Sequence, residues 1–201
     1  MEKSKEAQKV MNFLEKNYGN HIISGQMDLT WHDGTDMAKR VYKDTGKYPV
    51  LMGYDFMNYT PREGDGQNQV GEAYKWWSGT YQYDKSYKGH KGGIVAFSWH
   101  WRAGPEKQFY AKQTKTRIPF SDGKLNTETS EWRSLNKQIK LIADELEKLK
   151  KLGVPVLWRP LHEASGGWFW WGASGAEPYI ALWKYMYDYM KNDRGLDHLI
   201  W

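Results

Sequence analysis

The sequence contains no cysteine. This absence excludes a disulfide framework, a thiolate nucleophile, a cysteine-ligated zinc site and an iron–sulfur cluster. Long apolar runs are also missing, since no window approaches the roughly 18 consecutive apolar residues of a membrane-spanning helix. The first fifteen residues are charged where a signal peptide has an apolar core. We therefore expect no membrane partner, although a mature secreted protein would lack a signal peptide as well.

A strong excess of one charge is absent too. The 29 Lys and Arg against 24 Asp and Glu give a net charge of +5, and the lysines are scattered over predicted helices. Solvated helix faces explain such lysines better than a nucleic-acid patch does. The 20 Gly and 7 Pro among 201 residues are near the average for folded domains, which excludes collagen and disordered linkers. The sequence predicts a globular protein with no nucleic-acid partner.

Apolar residues recur with the helical period in several segments. The clearest stripe consists of Trp132, Leu135, Ile139, Ile142, Leu146 and Leu149. Ser130 is the predicted N-cap of this helix, and Gly153 and Pro155 end it. A second long helix is predicted from Pro178 to Lys191. Shorter amphipathic helices are predicted over residues 6–18, 35–45 and 68–77.

Short apolar runs between these helices predict buried strands over residues 21–25, 48–55, 93–100, 154–160 and 198–201. Strands that alternate with helices indicate an α/β fold with a parallel sheet and right-handed crossovers. Each strand-plus-helix unit takes about 44 residues, so an eightfold barrel would need about 350. We expect a single domain over residues 1–201, either part of such a barrel or a complete open sheet of five strands.

In parallel α/β folds the ligand site lies beyond the carboxyl ends of the strands. The fourth predicted strand leads into the run WRPLHEASGGWFWWG at residues 158–172. Glu163 follows this strand beside a histidine, an arginine and four aromatic residues. A carboxyl group among indole rings has its charged form desolvated, which suits a general acid. Glu163 is therefore the candidate catalytic residue, and a structural cap or an ion pair with Arg159 is the alternative.

Several tryptophans of the predicted strand ends are candidates for stacking on sugar rings. We expect at least one of Trp168, Trp170 and Trp171 to present its face to a ligand. His100 should point to the opposite side of its strand from Trp99 and Trp101, because side chains alternate along a strand. His100 is then either a hydrogen-bonded core residue or a contact to a sugar hydroxyl.

Other kinds of site fail on their motifs. His162-Glu163 lacks the second histidine of H-E-x-x-H, and residues 166–175 lack both G-K-[ST] and G-x-G-x-x-G. A G-x-S-x-G nucleophile motif is absent as well. We predict no metal and no cofactor. Carboxylate, imidazole, guanidinium and indole groups remain, and these are the groups of a glycoside hydrolase.

The run at residues 158–172 resembles the signature of glycoside hydrolase family 26, the endo-β-1,4-mannanases. Four upstream segments also resemble this family: SGQ at 24–26, TGKYP at 45–49, GYD at 53–55 and GIVAFSWHW at 93–101. The resemblance covers nearly the whole chain from about residue 10. It implies a (β/α)₈ barrel of which this chain supplies four βα units and strand five.

The resemblance also implies residue roles in a retaining hydrolysis of β-1,4-mannan. Glu163 matches the acid/base, and His162 matches the histidine that precedes it. The implied substrate-binding residues are His100, Arg159, His162 and Trp168, to which we add Trp99 and Trp171 as candidates. Ala164 and Ser165 depart from the family, in which Met and Asn are common at these positions.

The nucleophile of the family follows strand seven and has no counterpart in this sequence. Asp55, after the second strand, is the alternative partner, but the resemblance gives it a scaffold role. We therefore expect a second chain or a copy of this chain to complete the barrel, because an open half-barrel exposes strand edges and apolar side chains. A β-glucanase of the same family and a non-catalytic carbohydrate-binding protein are the alternatives. The resemblance to mannanases implies an extracellular location.

Overall fold

The computed structural model describes residues 2–29, 36–59, 68–81 and 92–201. The helices are α1 (Lys5–Asn17), α2 (Met37–Thr45), α3 (Gln69–Ser78), α4 (Ser130–Lys151), α5 (Trp170–Ala173) and α6 (Ala176–Asp188). The strands are β1 (Gly25–Met27), β2 (Leu51–Asp55), β3 (Ile94–Ser98), β4 (Phe120–Ser121), β5 (Lys124–Leu125), β6 (Val156–Arg159) and β7 (Leu199–Ile200). No helix in these described ranges has the length and apolar character needed to cross a membrane.

Five strands form one sheet in the order β1-β2-β3-β6-β7, and every neighbouring pair is parallel. This arrangement confirms the predicted alternation of strands and helices. The connection from β3 to α4 carries a separate antiparallel hairpin of β4 and β5, which the sequence pattern did not predict. The carboxyl ends of β2, β3 and β6 lie side by side and carry the candidate residues.

The two faces of the sheet are covered differently. Helices α3, α4 and α6 pack in one cluster on the face that carries Met52, Tyr54, Val95, Phe97, Val156 and Trp158. The opposite face carries Leu51, Ile94, Leu157 and Ile200, and helix α1 packs there through Ala7 and Val10. The second face leads directly to the candidate site, because Asp55, His100 and Arg159 continue its side-chain alternation.

The first strand and one helix start differ from the sequence prediction. Strand β1 pairs with β2 through Gly25–Met27 rather than through residues 21–25, and Ile22 is fully exposed among the described residues. Thr129, not Ser130, is the N-cap of α4, since its Oγ1 accepts a hydrogen bond from the backbone N–H of Trp132 at 3.1 Å. The predicted start of α2 at residue 35 lies outside the described residues.

Candidate active site

Asp55 and His100 are joined at the ends of β2 and β3. His100 Nδ1 lies 2.6 Å from Asp55 Oδ2, and the backbone N–H of His100 donates to Asp55 Oδ1 at 2.9 Å. Oδ1 also accepts the N–H of Met57 at 2.8 Å. Asp55 is buried, so these donors replace water around its carboxyl group. Because an ionised carboxylate has only acceptor oxygens, His100 Nδ1–H donates a hydrogen bond to Asp55 Oδ2.

His162 extends this pair from the end of β6. Its Nε2 lies 3.2 Å from Nε2 of His100. Burial lowers the pKa of His162 to about 4, and the neighbouring His100 acts in the same direction. The two Nε2 atoms are within hydrogen-bond distance, so one of them donates to the other. The buried Nδ1 of His162 has no hydrogen-bond partner among the described residues.

The backbone that carries Glu163 makes a sharp turn after β6. Leu161 and Glu163 have φ angles of 50° and 55°, in the left-handed region that non-glycine residues rarely adopt. Each such residue costs roughly 1–3 kcal/mol, and the cost is tolerated where surrounding contacts enforce it. Here the Tyr179 hydroxyl donates to the carbonyl of Leu161 at 3.2 Å, and Trp171 Nε1 donates to the carbonyl of His162 at 2.9 Å.

Glycine allows helix α5 to close against this turn. A Cβ at Gly172 would lie 2.2 Å from the carbonyl oxygen of Ala164, so a larger residue would displace the segment that follows Glu163. Hydrogen bonds and one close backbone contact thus hold the turn between β6 and α5 in place.

Glu163 is exposed at the top of this turn. Trp168 Nε1 donates to Glu163 Oε2 at 3.2 Å, and the Trp168 side chain lies over Gly166. Trp168 is 49% exposed, so its indole is accessible to a ligand beside the carboxyl group. The prediction that several aromatic rings desolvate Glu163 is wrong, because the other rings of the run turn into the core.

Trp99 and Trp171 are not positioned to touch a sugar. Both are completely buried among the described residues, and Trp99 stacks on Trp101 with ring centroids 4.1 Å apart. Their inclusion among substrate-contacting residues is therefore corrected, because a buried ring offers no face to a ligand. The predicted alternation is confirmed, since His100 faces Asp55 while the two neighbouring tryptophans point into the core.

Arg159 lies at the carboxyl end of β6 with its side chain exposed. No ion pair joins it to Glu163, although both residues are in the described part of the chain. The structural alternative for Glu163, a salt bridge to Arg159, is thus not observed. Both side chains are available to a ligand on the same end of the sheet.

Two residues near the site were not recognised from the sequence. Tyr179 lies sixteen residues after Glu163 on helix α6, and nothing in the helical pattern separates it from other packed tyrosines. Tyr110 is 44% exposed. It lies beside Trp168, because the N–H of the next residue, Ala111, donates to the carbonyl of Trp168 at 2.7 Å. Within the described ranges, no group of three metal-binding side chains is present.

Comparison with known proteins identifies the family. The family model for Glycosyl hydrolase family 26 matches residues 1–201. The chain belongs to glycosyl hydrolase family 26. The mannan endo-1,4-beta-mannosidase of Thermothelomyces thermophilus is 36% identical over 97% of the chain, and that of Bacillus subtilis is 34% identical over 96%. The recognised family resemblance is thereby confirmed.

Solved structures of family 26 superpose on nearly all of the chain. The GH26-CBM35 β-(1,4)-mannanase of Podospora anserina gives a TM-score of 0.83 at 36% identity over 99% of the chain and 43% of its own. A β-mannanase from a symbiotic protist of the termite Reticulitermes speratus, complexed with gluco-manno-oligosaccharide, gives 0.78 at 33% identity over 99% of the chain and 61% of its own. The parallel sheet is therefore part of a (β/α)₈ barrel, as predicted.

The chain spans only part of these relatives. It corresponds to 39% of the Thermothelomyces thermophilus protein and 54% of the Bacillus subtilis protein.

Proposed function

We propose that the protein hydrolyses internal β-1,4-mannosidic linkages and that Glu163 is its general acid/base. The observation that supports this most is the placement of Glu163, exposed at the end of β6 and held beside the accessible indole of Trp168. Glu163 would protonate the glycosidic oxygen as the bond breaks and then deprotonate the attacking water. Family 26 relatives named as mannan endo-1,4-beta-mannosidases support mannan as the substrate.

Retention of configuration would require a second carboxylate about 5–5.5 Å from the first. Asp55 does not suit this nucleophilic role, because its two oxygens accept hydrogen bonds from Met57 and His100. We therefore assign no nucleophilic role to Asp55.

The sugar would contact three side chains at this end of the sheet. Trp168 offers an accessible ring face, Arg159 an exposed guanidinium, and His100 a ring that is 28% exposed. His162 is only 6% exposed and would act through His100 rather than on the sugar. Because mannan is a polymer met outside cells, we propose an extracellular site of action.

The test is reducing-sugar release from β-1,4-mannan, measured over a range of chain concentrations. We expect the release to depend on Glu163. Glu163→Gln is expected to lower the rate at least about a hundredfold, the contribution typical of general acid–base catalysis. Binding of manno-oligosaccharide, measured by calorimetry, should persist in this variant.

The matched control is Glu177→Gln, which changes an exposed glutamate in the first turn of α6. It should leave the rate unchanged. Wild-type activity in Glu163→Gln would remove Glu163 from the acid/base role. Binding without any release, with or without Glu163, would favour a non-catalytic carbohydrate-binding protein.

The gluco or manno preference is tested on the same preparation. The family 26 neighbour from the termite symbiont was solved with a gluco-manno-oligosaccharide. We therefore propose glucomannan as a second substrate, with a higher rate on mannan. A higher rate on β-glucan than on either polymer would make the protein a β-glucanase.

A further inference from the structure

We propose that Tyr179 is a positioning residue that holds the carboxyl group of Glu163 in place through the backbone turn after β6. The Tyr179 hydroxyl donates to the carbonyl of Leu161 at 3.2 Å, two residues before Glu163. This inference rests on the acid/base role proposed for Glu163.

The turn needs such a restraint because two of its residues are in the left-handed region. Leu161 and Glu163, with φ angles of 50° and 55°, flank His162. A small rotation of the peptide between Leu161 and His162 would swing the Glu163 side chain, since only one residue separates them. The bond from Tyr179 opposes that rotation from outside the turn.

Tyr179 is held on α6 in a position from which its hydroxyl can donate to the carbonyl of Leu161. It lies in the first part of that helix, and its backbone N–H donates to Gly175 at 3.3 Å, which ties it to the segment after α5. Burial raises the pKa of the Tyr179 phenol, so the hydroxyl keeps its proton at neutral pH. Trp171 makes a similar bond to the next carbonyl, but it is fully buried and its replacement would leave a cavity.

Helix α6 offers a matched control in Tyr185. Its hydroxyl donates to Asn136 Oδ1 at 2.7 Å, which joins α6 to α4 away from the turn. Tyr179→Phe and Tyr185→Phe therefore each remove one hydroxyl hydrogen bond from the same helix. A loss of general stability should appear in both variants, and a loss of Glu163 positioning only in Tyr179→Phe.

The kinetic test compares two leaving groups. The 201-residue chain and both variants are assayed on β-1,4-mannan, which needs protonation of its leaving oxygen, and on a dinitrophenyl β-mannobioside, which does not. Tyr179→Phe is expected to lower kcat/KM on mannan roughly tenfold, a part of the full general-acid effect, and to leave the aryl substrate nearly unchanged. Equal losses on both substrates, or no loss on mannan, would overturn the proposal.

A second measurement does not depend on activity. The Trp168 indole N–H contacts Glu163, so its NMR resonance should differ between the wild type and Glu163→Gln. Tyr179→Phe is expected to move this resonance toward its Glu163→Gln position, and Tyr185→Phe to leave it in place. If the wild type hydrolyses neither substrate, the proposed function fails for this chain, and this spectrum alone decides the positioning role. An unmoved Trp168 resonance in Tyr179→Phe would then overturn it.

Discussion

Asp55 illustrates how individual residues of the site depend on one another. Its carboxyl group is buried and accepts hydrogen bonds from Met57 and His100, while His100 in turn contacts His162. Burying a polar group costs free energy unless the group is hydrogen-bonded. The three side chains of this network therefore constrain which ring nitrogen of each histidine carries the hydrogen. A change at Asp55 should therefore be felt at His162, although the two residues are far apart in sequence.

Asp55→Asn tests this dependence. The amide can keep the acceptor at Oδ1, but it places an N–H₂ donor against the Nδ1–H of His100. We expect a loss of about 1–3 kcal/mol in the free energy of unfolding, typical of a mismatched buried polar group. Urea unfolding measures the loss, and long-range ¹H–¹⁵N spectra should show the proton of His100 moving from Nδ1 to Nε2.

The exposed Asp188 provides the comparison. Its Oδ1 accepts a bond from Asn192 at 3.2 Å on the surface of the helix, so Asp188→Asn should change stability little. An Asp55→Asn variant as stable as Asp188→Asn, with unchanged histidine spectra, would contradict the tautomer assignment.

Helix α4 shows what the sequence pattern predicts well at the level of one element. Its apolar stripe has the helical period, and every residue of the stripe is buried. The exact start was harder to predict, because Thr129 and Ser130 are adjacent residues of similar capping ability. The difference is decided by backbone geometry: Thr129 is extended and its hydroxyl meets the N–H of Trp132.

Thr129→Ala is expected to lower the free energy of unfolding by about 1 kcal/mol, because α4 loses its N-terminal cap. Ser130→Ala should be neutral within about 0.5 kcal/mol, since Ser130 is exposed and its hydroxyl donates to the neighbouring Glu131. The midpoints of urea unfolding compare the two variants directly. Equal losses would contradict the assignment of the cap.

Strand β1 shows where pattern reading fails for an element. The apolar residues 21–25 predicted a strand, yet the paired register with β2 begins at Gly25. Pairing depends on the register with β2, which local hydrophobicity does not encode. The hairpin of β4 and β5 was not predicted either. Each of its strands has only two residues, too few to show a hydrophobic pattern.

Two buried histidines in the described part of the chain, His162 and His198, have lowered pKa values. Burial lowers the pKa of His198 to about 4, against opposition from the nearby Asp197. In the unfolded chain this pKa returns to about 6.5. The unfolded state therefore binds more protons than the folded state between these values, and stability falls as the pH is lowered through this window.

His198→Leu should remove the contribution of His198 to this loss of stability at low pH. Between pH 7.5 and 5, we expect the wild type to lose about 2 kcal/mol more than the variant, because the variant has no imidazole to protonate at this position. Urea unfolding at the two pH values measures the difference. His162 remains as a common background in both proteins, and an equal loss in both would contradict the lowered pKa of His198.

The order of strands and helices and the end of the sheet that holds the site could be predicted from the sequence, because period and residue type are local properties. The contacts inside the site could not. His100 and Asp55 are 45 residues apart, and only the register of β2 and β3 brings them together. The orientation of the tryptophans after Glu163 depends on left-handed residues that no local pattern marks.

Helix α1 has a consequence for synthesis on the ribosome. Val10 packs in one cluster with Ile200, and the N–H of Ser4 donates to the carbonyl of Asp197 at 3.1 Å. Translation proceeds at about 5–20 residues per second, so roughly 10–40 s separate the synthesis of Val10 from that of Ile200. During that interval the apolar side of α1 lacks its contact with β7, and transiently exposed apolar surface of this kind promotes aggregation.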